Sequence, residues 1–500
     1  VSLAVLLLAF LAALGPRQDP LARLSTWTER TRHAPASVDA RRQAELRSIL
    51  GELRILRAGP LAEPGAIDAG LLGVAALAHR NGARPDGLMT GAQLARAELE
   101  AELEREGARL AAWLATQVLA AEAQRPQPER RLALELLQGR RDPALLPALR
   151  ATARENDAEL AQAAVQTLAG WNDPLVHLLF LERLEQGRGP TRLASEHFER
   201  TRDSLTPELL DRLQALTAGL YLAEDWRAAA RARAIGRALP TVRAAPILLE
   251  ALTQWVQREA SGQSSRRIRH ELVLELQRRS GRSIGSEPAR WNEWWQAVQE
   301  GRVALPEALV ASGEQPSSAT FFGLRAESDR VLFVLDRSGS MRQGFGTDGR
   351  TRHEEALTQL STFLRQAGPT TRFGVALFSD KGLAWRSRLA PATDSNLELV
   401  RRWVSEKEPD GETLLFSGLR AGLDLDARGR LNLERCEADT VIVLCDGATS
   451  EGSGWVARWL SEENEQAQLV FHCVQIGTEG NGTLEALAAG SGGQFLRVEG

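Results

Sequence analysis

Val331-Leu-Phe-Val-Leu-Asp336-Arg-Ser338-Gly-Ser340-Met341 is the stretch on which the reading of this chain turns. Five consecutive apolar residues read as a buried strand, which runs out into one acid and two hydroxyls at alternate positions. Side chains of an extended chain alternate between its two sides, so Asp336, Ser338 and Ser340 can present their oxygens to one side of a tight turn. Gly339 supplies the backbone freedom that the turn needs. Three hard oxygens at the carboxyl end of a strand suit a small hard cation, Mg2+ first, with Mn2+ or Ca2+ as alternatives.

Outward from this stretch the chain alternates strands and helices. Strands are expected at 331–335, 372–378, 383–387, 440–445, 469–476 and 494–498. Helices are expected at 352–366, 396–406, 414–423, 455–463 and 483–489. Such alternation predicts an α/β, Rossmann-like domain with a mostly parallel central sheet covered on both faces, whose ligands gather at the carboxyl ends of the strands.

Two further segments bring oxygens to loops of this domain. Asp410-Gly-Glu-Thr413-Leu opens a helix, and Val441-Ile-Val-Leu-Cys-Asp446-Gly447 ends a second buried strand in an acid. Together Asp336, Ser338, Ser340, Thr413 and Asp446 resemble the metal-ion-dependent adhesion site (MIDAS) of the von Willebrand factor A (VWA) domain, in its bacterial type. The resemblance spans about 328–498, and Thr320-Phe-Phe-Gly323 is similar to the lead-in of bacterial versions. It implies that Ser338, Ser340 and Thr413 contact the cation through neutral hydroxyls, with Asp336 and Asp446 acting directly or through water. It also implies an open coordination position that takes a Glu or Asp carboxylate from a protein partner.

Arg337 stands between the ligand positions and points the other way by alternation; curled back, it would oppose the cation. The loop 342–350 is glycine-rich, and either shapes the rim or is mobile. An enzymatic reading lacks its parts. A phosphatase of the haloacid-dehalogenase type needs a second acid where Ser338 stands. A Gly-x-x-x-x-Gly-Lys loop, a His-Glu-x-x-His helix and a Gly-x-Ser-x-Gly elbow are absent from the sequence. His353 reads as a solvated first-turn residue and His472 as part of a buried strand.

Residues 39–300 are rich in Leu, Ala, Arg and Glu and read as successive helices broken by Gly, Pro and Asp-Pro. Leu145, Leu146 and Leu149 mark one apolar face, and Leu160, Ala164 and Leu168 another. Asp142 and Asn156 are the expected N-caps, with Pro143 in the first turn. The segment from Asp142 to Pro174 resembles a HEAT-type repeat, so the region is expected to be an α-solenoid, with an irregular helical domain as the alternative. Trp291, Trp294 and Trp295 share one helix face and are expected to pack. Residues 301–318 read as a linker.

With 500 residues and a net charge of −4, the chain has room for several domains. Its arginines are scattered among acids without a basic stripe, which excludes a nucleic-acid reading. Residues 1–15 form an uncharged apolar run that matches a secretory h-region, or an anchor if uncleaved; this segment alone offers a membrane contact. Cys436, Cys445 and Cys473 make neither a disulfide framework nor a zinc site. Cys445 and Cys473 are expected to pack as small hydrophobes, a bridge between them requiring neighbouring strands.

The resulting expectation is an exported, non-enzymatic protein of the periplasm, cell envelope or exterior. Its helical region would serve as scaffold and its A-type domain would bind an acidic side chain of a protein partner through Mg2+. The alternatives are an intracellular adaptor docking onto an ATPase or other assembly through the same site, and a Mg2+-dependent hydrolase.

Overall fold

The computed structural model describes residues 40–57, 64–76, 91–120, 124–261, 266–306 and 319–499, apart from residues 106, 188, 326 and 348, with a few more between 20 and 26. The apolar run 1–15 and most of the expected linker, residues 307, 308 and 310–318, lie outside the described residues. The chain divides into two compact units, Val1–Phe180 and Leu181–Gly500.

The first unit is helical: α1 (Ala40–Arg57), α2 (Pro64–Ala75), α3 (Gly91–Arg105), α4 (Gly107–Leu114), α5 (Gln127–Leu137), α6 (Leu146–Ala153) and α7 (Ala158–Leu168). The predicted apolar faces are buried, with Leu145, Leu149, Ala164 and Leu168 fully enclosed. Asp142 caps its turn as expected, accepting the Ala144 N–H at 3.0 Å. Asn156 does not cap α7. Asp157 does, its carboxylate accepting the N–H groups of Glu159 and Leu160, both at 3.0 Å. Asp157 has the extended backbone that an N-cap requires (φ −70°, ψ 107°), which leaves Asn156 one residue too early.

Helix α8 (Pro174–Glu185) carries the boundary between the units. The second unit continues with α9 (Thr191–Arg200), α10 (Pro207–Leu222), α11 (Trp226–Gly236), α12 (Thr241–Ala260), α13 (Arg266–Ser280) and α14 (Pro288–Gln299). On α14 Trp291 and Trp294 are buried edge to face, and the Trp291 indole donates to Gly285 O at 2.7 Å. The tryptophan face packs, as its spacing predicts. No helix among the described residues is long and apolar enough to cross a membrane.

A small hairpin, β1 (Thr320–Phe321) with β2 (Leu324–Arg325), leads into β3 (Arg330–Asp336). Then come a second hairpin, β4 (Gly344–Phe345) with β5 (Arg350–Thr351), and α15 (Arg352–Ala367). The sheet continues through β6 (Arg372–Phe378), β7 (Gly382–Ala384) and β8 (Ala390–Pro391), followed by α16 (Asp394–Ser405) and α17 (Leu415–Gly422). After these stand β9 (Thr440–Cys445), α18 (Val456–Glu462), α19 (Asn464–Ala467), β10 (Val470–Ile476), α20 (Thr483–Ser491) and β11 (Phe495–Val498). The main sheet runs β11-β10-β9-β3-β6-β7, with β8 also paired to β6. Strands β3, β6, β9, β10 and β11 are parallel, while β7 and β8 run antiparallel to β6.

Period two divides β3 between the two layers that cover it. Val331, Phe333 and Leu335 join the core with Phe363 of α15 and Val400 and Val404 of α16. Leu332 and Val334 face α17, whose Gly418 and Gly422 let the helix approach closely: a Cβ at Gly418 would stand 2.9 Å from Val334 Cγ1. Each fully buried apolar side chain here contributes roughly 1.5–3 kcal/mol. β3 is central, with β6 on one side and β9 on the other, so successive connections turn in opposite directions. That switch point opens a crevice outside the carboxyl ends of β3 and β9.

The helices of the second unit grip the amino ends of the same strands. Arg267 on α13 donates from Nη1 to Asp439 O and Gln468 O, each at 2.7 Å, just before β9 and β10. The Arg266 backbone N–H donates to Asp329 Oδ1 at 3.1 Å, just before β3. Arg227 on α11 donates to Cys436 O, and Arg192 on α9 to Gly490 O at 2.7 Å. Arg267 itself is paired with Glu271 at 2.7 Å, which also holds Arg233 at 3.1 Å. Burial alone would raise the Glu271 carboxyl, but Arg233 and Arg267 bring it down to about 2.

The three cysteines are free and buried. Strands β9 and β10 are neighbours, yet their register sets Cys473 against Val443 and Cys445 against Gln475. That two-residue offset is what keeps Cys445 and Cys473 from bridging.

Candidate metal centre

Asp336 ends β3 and Asp446 follows β9, so hydrogen bonding between these adjacent parallel strands brings their carboxylates to the same crevice. Both are buried, as is Ser338: their exposures are 1% for Asp336, 5% for Asp446 and 1% for Ser338. After Asp336 the chain curls into a short 3-10 turn, Gly339–Arg342, that turns both serines inward. The Ser338 N–H donates to Asp336 Oδ1 at 2.7 Å. The hydroxyls of Ser338 and Ser340 are hydrogen-bonded to each other at 3.0 Å, and the Ser340 hydroxyl donates to Asp446 Oδ1 at 2.9 Å. The Asp446 N–H points back to Asp336 Oδ2 at 3.4 Å. Four of the five predicted oxygen-bearing residues thus form one closed circuit.

Thr413 is brought to this turn by its backbone. Gly339 N–H donates to Gly411 O at 3.1 Å, and Asp410 N–H to Arg337 O at 2.8 Å, so the 410–413 loop lies against the serine turn. From the other side, Ser450 N–H donates to Thr413 O at 3.0 Å. Glu451 Oε2 accepts the Phe416 N–H at 3.1 Å, in the first turn of α17. Gly411 has φ +81°, and a Cβ there would stand 2.6 Å from the Asp380 carboxylate, which itself receives the Glu412 N–H. Only glycine fits that corner without displacing Asp380.

Burial and the facing Asp446 carboxylate push Asp336 up to about 6, against the stabilising hydrogen bonds from Ser338. Two acids held this close, with hydroxyls between them and hard oxygen throughout, form a donor set that fits a small divalent cation. Among the described residues no group of three or more His, Cys, Asp or Glu side chains is assembled, so the hydroxyls are a necessary part of any such set.

Arg337 does not curl back. Its Nη1 donates to Glu408 O at 3.1 Å, directing the guanidinium to the neighbouring loop. The described residues of the glycine-rich loop include the β4–β5 hairpin, whose end starts α15 through a capping box. The Thr351 hydroxyl accepts the Glu354 N–H at 3.2 Å, and Glu354 Oε2 accepts the Thr351 N–H at 2.8 Å. His353 lies in the first turn of α15 as expected, but it is buried at 9% exposure rather than solvated. The sequence reading missed Arg352. Its Nη1 donates to Asp446 Oδ2 at 3.0 Å, so both oxygens of Asp446 are engaged. One basic residue among many on helical segments carries no signal of such a role.

Residues 331–448, a span running from the start of β3 past Asp446, match the family model described as the von Willebrand factor type A domain. The C-terminal part of this chain is a von Willebrand factor type A domain. The A-type domain is similar to inter-alpha-trypsin inhibitor heavy chain H1 of Mesocricetus auratus, with 31% identity over 158 residues, 30% of this chain and 16% of that protein. Heavy chain H4 of Homo sapiens is 24% identical over 217 residues, 41% of this chain and 21% of that protein. The chain therefore spans about one-sixth to one-fifth of these curated relatives. Among solved structures, BatB, a conserved hypothetical protein from Bacteroides thetaiotaomicron, aligns at 15% identity with a TM-score of 0.26, over 34% of this chain and 89% of that one. Proximal thread matrix protein 1 of the mussel byssus, described with a zinc-occupied MIDAS motif, aligns at 18% identity with a TM-score of 0.25, over 33% of this chain and 40% of that one.

Proposed function

We propose that the A-type domain binds an acidic side chain of a partner protein through a divalent cation, Mg2+ by preference, held by Asp336, Ser338, Ser340, Thr413 and Asp446. The observation that carries this reading is the closed circuit of Asp336, Ser338, Ser340 and Asp446 at the switch point of the sheet. Two carboxylates neutralise a divalent cation, and neutral hydroxyls complete its shell without adding charge, which leaves it receptive to one more anionic oxygen. When bound, the cation would supply that Lewis-acidic position. The protein's residues hold the oxygens in place.

The composition of the site supports binding over hydrolysis. Ser338 hydrogen-bonds within the circuit, and His353 is buried under the first turn of α15 with its imidazole lowered by burial. Neither is placed as a general base. In this proposal the helical region acts as a HEAT-like scaffold and second contact surface, and the protein works outside the cytoplasm. The test is capture of partners on immobilised full-length protein with Mg2+ and with EDTA. Partners retained only with Mg2+, and lost with Asp336→Ala, support the reading; identical partners under both conditions overturn it.

A further inference from the structure

We infer that Arg352 is a positioning residue that holds Asp446 and adds a positive charge beside the proposed metal centre, and so selects for an anionic ligand. This deepens the proposed function and rests on it. Asp446 has two oxygens with different duties: Oδ1 receives the Ser340 hydroxyl, and Oδ2 receives Arg352 Nη1 at 3.0 Å. The Asp446 side chain is 2% exposed and that of Arg352 19%, so the pair is largely shielded from solvent screening. Its geometry is built from several directions. The Thr351–Glu354 capping box starts α15 at this residue, and the Arg352 N–H donates to Gln343 O at 2.9 Å. Gly477 leaves room for the guanidinium: a Cβ there would meet Nη2 at 3.2 Å.

Two consequences follow for a bound divalent cation. With Oδ2 held by the guanidinium, Oδ1, beside the Ser340 hydroxyl, is the Asp446 oxygen that would face the centre. In addition, Asp336 and Asp446 would balance the charge of the cation, and the guanidinium adds a positive charge beside it in a poorly screened crevice. Of the other basic groups nearby, Arg350 is paired with the Glu355 carboxylate, and Arg337 directs its guanidinium to Glu408 O. Arg352 therefore opposes the metal while favouring the carboxylate that completes its shell. A merely structural prop would not give effects of opposite sign on metal and ligand.

The experiment uses the full chain with Mn2+ as the metal and acetate as the carboxylate, both followed by water-proton relaxation. Arg352→Gln is expected to bind Mn2+ about 3–10-fold more tightly and to hold acetate about 3–10-fold more weakly, the range for one charge at this separation near a protein surface. Arg352→Lys, which keeps the charge, should retain acetate affinity within about twofold. Arg352→Met replaces the Gln variant if that variant does not fold. Weaker Mn2+ binding in the neutral variant, or affinities equal to wild type for both probes, overturns the role of Arg352 while leaving the metal reading intact. A folded wild type that binds no Mn2+ overturns both.

Discussion

The Ser340 hydroxyl donates to Asp446 Oδ1 at 2.9 Å, joining residues 106 apart in the chain. This one bond ties the end of β3 to the end of β9. It lies across the switch point of the sheet, where two connections that diverge leave a crevice with acids on both walls. The A-type domain thus concentrates charge where its backbone has no further strand to pair.

Mg2+ is expected to raise the thermal stability of the full chain. At a concentration 100 times its dissociation constant the gain is about 2.7 kcal/mol, or roughly 5 °C for a unit of this size. Ser338→Ala combined with Ser340→Ala should abolish the increment, because it removes two neutral donors and breaks the circuit to Asp446. Melting curves with Mg2+ and with EDTA decide it; an unchanged increment in the double variant would sink the ligand assignment.

Gly411→Ala should destabilise the domain by about 1–3 kcal/mol and reduce the Mg2+ increment. The added Cβ meets the Asp380 carboxylate at 2.6 Å in a backbone conformation with φ +81°. Moving the corner displaces Gly411 O from the Gly339 N–H, and with it the Thr413 loop. Denaturant unfolding, repeated with and without Mg2+, measures both effects.

Arg267→Ala should cost about 3–5 kcal/mol, since it strips two strand-leading carbonyls of a donor and leaves Glu271 with one guanidinium fewer in a buried site. Arg267→Lys should recover only part of this, because one ammonium cannot reproduce the fork. Chemical denaturation gives the values. A loss under 1 kcal/mol would mean that the helices are not integral to the fold of the A-type domain.

His472 contributes stability that rises with pH between about 4 and 6.5, while Asp336, pushed up to about 6, contributes in the opposite sense over much of the same window. Burial, with Arg267 adding to it, lowers His472 to about 4, and its Nδ1 accepts the Gln494 N–H at 3.2 Å, which requires the neutral ring. The unfolded chain takes up the proton near 6.5 while the folded chain resists it until about 4. The His472 contribution is therefore complete above 6.5 and is lost as pH falls through that window, by roughly 3 kcal/mol. Glu271, held at about 2, contributes its loss lower still, below about 4.5. In pH-dependent melting, His472→Gln should remove the rising contribution, so that stability between about pH 4 and 6 falls with pH as Asp336 ionises, and should leave the lower window unchanged.

Much of the A-type domain is legible from local pattern. The strands predicted at 372–378 and 440–445 have the observed bounds, because parallel strands buried on both faces must be continuously apolar. The strand expected at 383–387 is shorter, Gly382–Ala384, since an edge strand with one neighbour has little to enforce its length. The β4–β5 hairpin was not legible, as two-residue strands carry no period. Asp157 rather than Asn156 caps α7 because backbone torsion, not residue type, selects between adjacent polar residues.

Periodicity and residue chemistry, both local properties, sufficed for the alternating architecture and for setting Asp336, Ser338 and Ser340 on one turn; Asp446 joined them only through the family resemblance. Arg352 and Arg267 belong to the other class. A guanidinium reads the same whether it is solvated or sealed against a carboxylate, and only packing between segments distant in the chain removes the water. Arg352 meets Asp446 across 94 residues, and Arg267 meets Asp439 across 172. Tertiary structure decided which of the many arginines would hold the ends of the strands and which would lie against Asp446.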